Sequence, residues 1–240
     1  MKYLGRKHDF SLVKEKINLI KEVGFNNINV DLIYDLKTET LKELEEDIDN
    51  ILSLDVPHIS TYSLIIEEHT ILGIKKEKNI EEELDYEMYN LIRNKLKENG
   101  YIHYEVSNFS KIGFESRHNL VYWNNEHYYG FGLSASGYID DKRITNTSSL
   151  NEYLKGNYIK EIEYLKNNDI LSYALILGFR KIDGINKNDF LKKYKVNLKS
   201  LYNIEELIKK GLLIENKDNI YISYDKIYIE NSILENFVGE

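Results

Sequence analysis

Between Ser116 and Ser136 the sequence reads SRHNLVYWNNEHYYGFGLSAS, which crowds Arg117, His118, Tyr122, Trp123, His127, Tyr128 and Tyr129 beside Gly130 and Gly132. Imidazole is a common ligand of heme iron, and aromatic side chains grip a flat apolar molecule, so the segment could hold a macrocycle. Tyr and Trp at such spacings also fill cores, and a histidine is more often a hydrogen-bonded surface or core residue than a ligand. Local chemistry leaves both readings of His118 open. A second candidate is Asp31, in NNINVDLIYDL. Period-2 alternation puts Ile28, Val30, Leu32 and Tyr34 on one face of a strand and Asn29, Asp31, Ile33 and Asp35 on the other. A mid-strand carboxylate needs a partner if buried, and ligands of parallel α/β folds gather near the C-terminal ends of strands. Asp31 is a site residue or a carboxylate satisfied by backbone or solvent. His8, His58, His69 and His103 lack metal-ligand spacing and read as structural. Walker-type loops, nucleophile elbows and dinucleotide fingerprints are absent, and GFGLSAS lacks the strand-to-helix context of a phosphate-binding glycine run. The charge runs IEEELDYE and ELEEDID read as solvated helix faces.

The elements that must position these residues alternate from the start. Helix is predicted over 11–23, 40–52 and 80–98, and strand over 27–34 and 58–66, a pattern of βαβ units with a parallel sheet. Thr40 with Glu43, Asn79 with Glu82 and Ser149 with Glu152 stand at capping-box spacing, and Gly24 and Gly100 follow two helices as C-terminal caps. Short strands are predicted at 101–106 and 127–133, with a hairpin over 137–145 extending the sheet. Helical stretches follow from Ser149. Near the end, a helix over 200–210 precedes two apolar runs around Asn216, Lys217, Asp218 and Asn219, a winged-helix-like ending. The boundary falls at 147, on the change of pattern.

The 240 residues, 42% hydrophobic and 30% charged, lie within the globular range. A net charge of −8 gives no general attraction for phosphate backbones, so nucleic acid is not an expected partner. No apolar run suits a membrane span or a signal peptide, and the expected location is the cytoplasm. Cys is absent, which removes disulfides, thiolate nucleophiles and every Cys-ligated zinc or iron-sulfur site from this chain.

The order LGRKH, GFNNINVDLIYDL, HISTYSLIIEEHT, YEVSNFSKIGFESRHNLVYW and YYGFGLSASGY resembles the HemW-type heme chaperones of the radical SAM superfamily. HNLVYW is similar to that group's HNxxYW motif, and KKGLLIENKDNIYIS is similar to the C-terminal domain shared with oxygen-independent coproporphyrinogen III oxidase. The resemblance, to the family's C-terminal two-thirds, implies an α/β fold: an incomplete radical SAM (partial TIM-like) barrel with a β extension over 1–147, and a winged-helix-like domain over 148–240. It implies a four-iron four-sulfur cluster and S-adenosylmethionine in the full-length family, although this chain has no cysteine for the cluster. Arg6 matches the family arginine that contacts S-adenosylmethionine, and Asp31 its strand acid at the ribose or amino-acid part. DLKTET stands where the family has a GLPGQT-type turn, with Asp35 and Lys37 replacing Gly and Pro. His118, Asn119, Tyr122 and Trp123 become the heme or porphyrin region, with His118 the candidate ligand of heme iron.

Three readings compete. A truncated or split HemW-like protein would handle heme but need a separate N-terminal half, and would meet an acceptor protein, with peripheral membrane association through that acceptor and self-association through the exposed sheet edge at Asp31's strand. A complete non-enzymatic binding module, or a non-functional remnant, is the alternative. A winged-helix nucleic-acid binder ranks last, because LYNIEELIKKG carries few positive charges.

Overall fold

A computed structural model describes residues 9–67, 70–74 and 80–238. Arg6, His8, His69 and Asn79 therefore lie outside the described residues. The chain forms two compact units, Met1–Glu115 and Ser116–Glu240.

In the first unit, α1 (Phe10–Glu22), β1 (Asn29–Tyr34), α2 (Leu41–Leu52) and β2 (His58–Ser63) alternate as the hydrophobic pattern predicts. A short α3 (Ile71–Ile74) and a long α4 (Glu82–Glu98) follow, then β3 (Ile102–Glu105) and β4 (Asn108–Ser110). Thr40 caps α2 in a complete capping box with Glu43, and Gly24 and Gly100 adopt positive φ just after α1 and α4. The cap predicted at Asn79 lies outside the described residues, and α4 starts at Glu82 behind Glu81, which makes no side-chain cap bond. β1 and β2 run parallel, as the α2 crossover requires, with Asp31 opposite Ser60. The sheet is nevertheless mixed, in the order β1-β2-β4-β3, because residues 102–110 fold back as a tight antiparallel hairpin. Leu44, Ile48 and Ile51 of α2 and Met88, Ile92 and Leu96 of α4 repeat at helical spacing and bury against Leu32, Tyr34, Ile59 and Phe109 of the sheet. Each such side chain contributes roughly 1.5–3 kcal/mol on burial.

The second unit opens with α5 (Arg117–Trp123), then β5 (Ser136–Ile139), β6 (Lys142–Asn146), α6 (Leu150–Leu154) and β7 (Ile159–Tyr164). The predicted hairpin forms, but it does not extend the first sheet: β5, β6 and β7 make a three-stranded antiparallel sheet of their own. β7 lies where helix was predicted. Its Ile159 and Ile162 sit three apart and mimic a helical face, whereas all six of its residues are exposed. The strand predicted over 127–133 reduces to one bridge between Tyr128 and Tyr138. Beyond it Gly130 passes so close to β5 that a Cβ would come within 2.5 Å of the Ser136 carbonyl oxygen, and the chain turns at Gly132–Ser134.

The remaining elements are α7 (Asn167–Gly178), β8 (Ile185–Asn186), α8 (Lys187–Tyr194), α9 (Ile204–Lys209), β9 (Leu213–Glu215), β10 (Asn219–Ile222) and α10 (Glu230–Leu234). β9 and β10 form the predicted hairpin, and β8 adds to it in the order β8-β10-β9. Phe179, Leu198, Ile204, Leu207, Leu213, Ile220 and Ile222 are buried in this part of the unit.

Candidate functional site

Ser116 fixes the start of α5 by accepting a hydrogen bond from the Asn119 amide at 3.3 Å. The helix that follows places His118 and Tyr122 one turn apart on the same face. His118 Nε2 lies 3.0 Å from the Tyr122 hydroxyl, and the two rings meet edge to face at 4.8 Å. Tyr122 in turn packs edge-on against Tyr128 at 4.5 Å, and His127 against Tyr138 at 5.1 Å. Arg117 and His118 are exposed, and Asn119, Tyr122 and Trp123 are half-buried.

The loop after Tyr128 carries the most exposed aromatics near this helix. Tyr129 is 72% and Phe131 85% accessible, and the two rings stack at 6.0 Å. The buried Asn146 holds the loop by donating from Nδ2 to the carbonyls of Gly130 and Gly132, at 3.1 and 2.9 Å. Phe131 escaped the list of candidates drawn from sequence. The available signal was a large apolar residue between two glycines, in a turn-rich segment.

Trp123 parts company with the rest of its motif. Its indole lies 5.7 Å from the Arg180 guanidinium, and its Nε1 is buried without an acceptor among the described residues. Arg180 itself is held by Glu230 at 2.7 Å and by Asn231 at 3.2 Å.

Asp31 belongs to the first unit and is exposed rather than buried, so the cost of a buried carboxylate does not arise. It sits at the end of a polar run across the sheet face opposite the helices. Asn29 Nδ2 donates to Asp31 Oδ1 at 2.7 Å, and Asn29 Oδ1 accepts from Ser60 Oγ at 3.2 Å and meets His58 Nδ1 at 2.7 Å. His58 Nε2 lies 2.8 Å from the Tyr104 hydroxyl. An amide oxygen facing Nδ1 requires the proton there, which leaves Nε2 to accept from Tyr104. Burial pushes His58 below its ordinary value, so the ring stays neutral, while Asp31 and Glu115 pull the other way. Sequence alone gave His58 no such link to Asp31.

Just past β1, Asp35 is buried with φ 66°, accepting from Ser63 Oγ at 3.0 Å and from the Ile80 amide at 3.4 Å. Burial raises its pKa, and Asp85 adds to the effect. The Asp that stands where the family turn has Gly is thus accommodated by its own hydrogen bonds. Among the described residues no cluster of three or more His, Cys, Asp or Glu could hold a metal ion.

The α/β fold is similar to part of a solved radical SAM enzyme. It matches coproporphyrinogen III oxidase from Escherichia coli with a TM-score of 0.78 and 16% identity, over 97% of this chain and 59% of that one. In sequence the chain resembles the HemW heme chaperones. It is 36% identical to the heme chaperone HemW of Lactococcus lactis and 35% identical to that of Bacillus subtilis, in each case over 99% of this chain. HemW of Escherichia coli is 27% identical over the full chain. The chain spans 65% of the length of these relatives. No protein-family model matches.

Proposed function

We propose that this chain is the heme-handling part of a HemW-type chaperone, binding heme or a related porphyrin as cargo for transfer to an acceptor protein. The observation that carries the reading is its likeness, over 99% of its length, to proteins named heme chaperones. The second unit supplies a chemically suitable surface. His118 is accessible, Tyr122 orients its ring, and the Tyr129–Phe131 pair offers exposed aromatic area for a flat apolar ligand. For iron to bind at Nε2, the Tyr122 hydroxyl would have to yield its place. Asn119 stands beside His118 on α5 in the same proposed region, and Trp123 supports that helix from behind.

In this reading, residues 1–147 form part of a radical SAM barrel with its β extension, and 148–240 a winged-helix-like domain. The order α7, β8, α8, α9, β9, β10 with sheet order β8-β10-β9 supports that second assignment. Arg6 and Asp31 are proposed contacts to S-adenosylmethionine, Asp31 through the exposed polar face it shares with Asn29. The family's four-iron four-sulfur cluster does not fit here, because thiolate ligands are lacking in these 240 residues, and no radical step is assigned to them. A separate N-terminal half would pair at the outer edge of β1, an edge also open to self-association. No described helix is long and apolar enough to cross a membrane. Cytoplasmic location, and membrane contact only through an acceptor, belong to the same proposal.

Titrating the chain with hemin and following the Soret band tests the reading. Saturable, stoichiometric binding that weakens roughly 10-fold in His118→Ala is expected, a loss of about 1.4 kcal/mol. Absence of saturation, or equal binding by the variant, would overturn the assignment of this site.

A further inference from the structure

We propose that the cleft between the end of α5, α7 and α8 is a second, separate site, which binds the carboxylate of a small organic acid. On α5, Trp123 lies about 140° around the helix from His118, at 100° per residue, so its cleft is not the His118 face. The cavity holds about 300 Å³, and its walls include Trp123, Lys181, Ile185, Phe190, Lys193 and Tyr194. Apolar and aromatic walls with a few polar groups converging on one point are what a small-ligand site requires.

Three hydrogen-bond donors of this cleft lack a charged or complete set of acceptors. The Trp123 indole N–H is buried and unsatisfied, and an indole nitrogen can only donate. Lys181 Nζ reaches only the neutral Asn124 Oδ1, at 2.8 Å. Among the described residues Lys193 Nζ donates to the carbonyls of Asn124 and Asn125, each at 2.9 Å, and lies 5.2 Å from the centre of the Tyr194 ring. An ammonium has three N–H donors, so at least one remains on each lysine. Neither lysine forms an ion pair among the described residues, although Lys181 senses Asp183, Asp189 and Glu126 at longer range. Burial pushes Lys181 below its ordinary range and the charges facing it offset that only in part, whereas Lys193 is exposed and feels the same push more weakly. Both lysines hold Asn124, so a carboxylate seated beside that turn would accept from the free N–H groups of Lys181 and Lys193. Glu126 and Asp189 also line the cleft, which disfavours a dianion such as phosphate and favours a single negative charge.

The chain has one tryptophan, so its fluorescence reports on this cleft directly. Benzoate is the probe, methyl benzoate the uncharged control and inorganic phosphate the dianion control, with no hemin present, so that success or failure is independent of the heme reading. Benzoate is expected to give a saturable change, weakened at least 10-fold in Lys181→Met and in Lys193→Met, retained in Lys181→Arg, and strengthened several-fold in Asp189→Asn. Near-ultraviolet circular dichroism checks that each variant is folded. Equal binding of methyl benzoate would mean an apolar crevice only. Benzoate binding indifferent to both lysine variants, or no saturable change in the folded wild-type chain, would mean that the lysines merely staple the Asn124–Asn125 turn. Any of these three results overturns the proposal.

Discussion

Glu39 is a carboxylate whose environment carries it into the neutral range. Burial, with Asp47 and Glu43 nearby, pushes it up to about 7, against the pull of the Leu36 amide that donates to Oε2 at 3.1 Å. A folded-state value raised above the unfolded one means that the native state holds its proton longer. Stability is therefore fully present below pH 4.5 and declines as pH rises to about 7. Asp35, also raised by burial, contributes with the same sign. Glu39→Gln keeps an acceptor for Leu36 and removes the charge. Its urea midpoint should exceed the wild type's at pH 8 and approach it at pH 5, and an undiminished fall with pH in the variant would show that Glu39 is not its source. At this scale the sequence was partly legible. The His118–Tyr122 pair follows from i, i+4 spacing on any helix. The direction of Trp123 does not, because Arg180, 57 positions away, sets it, and Arg180 is itself fixed by Glu230.

Elements were legible where local signals agreed with burial. The Thr40 box starts α2 as predicted, and Thr40→Ala should cost about 1 kcal/mol, read as a lowered thermal midpoint, with Thr40→Ser nearly neutral. A change within error for Thr40→Ala would mean that packing of Leu44, Ile48 and Ile51 alone fixes the helix start. β1 announced itself because one face packs on helices and alternation survives, whereas β2, buried at four successive positions, was legible as an apolar run. β7 did not, because a strand exposed on both faces has no reason to alternate apolar with polar. The 127–133 segment failed for a different reason. Its apolar residues resemble a strand, but Gly130 must pass within van der Waals contact of the Ser136 backbone, and Asn146 pins the loop by its carbonyls instead of pairing it in a ladder.

For the whole molecule, composition set the class and the family motifs set the fold, whereas the boundary read at 147 from the change of pattern differs from the division into compact units after Glu115. The first unit's core draws on residues from Ile17 to Phe109, contacts that no local pattern reveals. β7 carries a consequence for how many copies of this chain can share a solution. It is an outer strand, and its exposed backbone edge is a template on which another chain could grow. Its sequence, IKEIEY, answers with Lys160, Glu161 and Glu163, so that in-register stacking of identical strands sets like charges directly against each other. Replacing all three by threonine should turn a dispersed protein into one that forms thioflavin-positive fibrils on standing, while a variant that stays dispersed would place the protection elsewhere. Three exposed side chains would then be the barrier between a native sheet and amyloid.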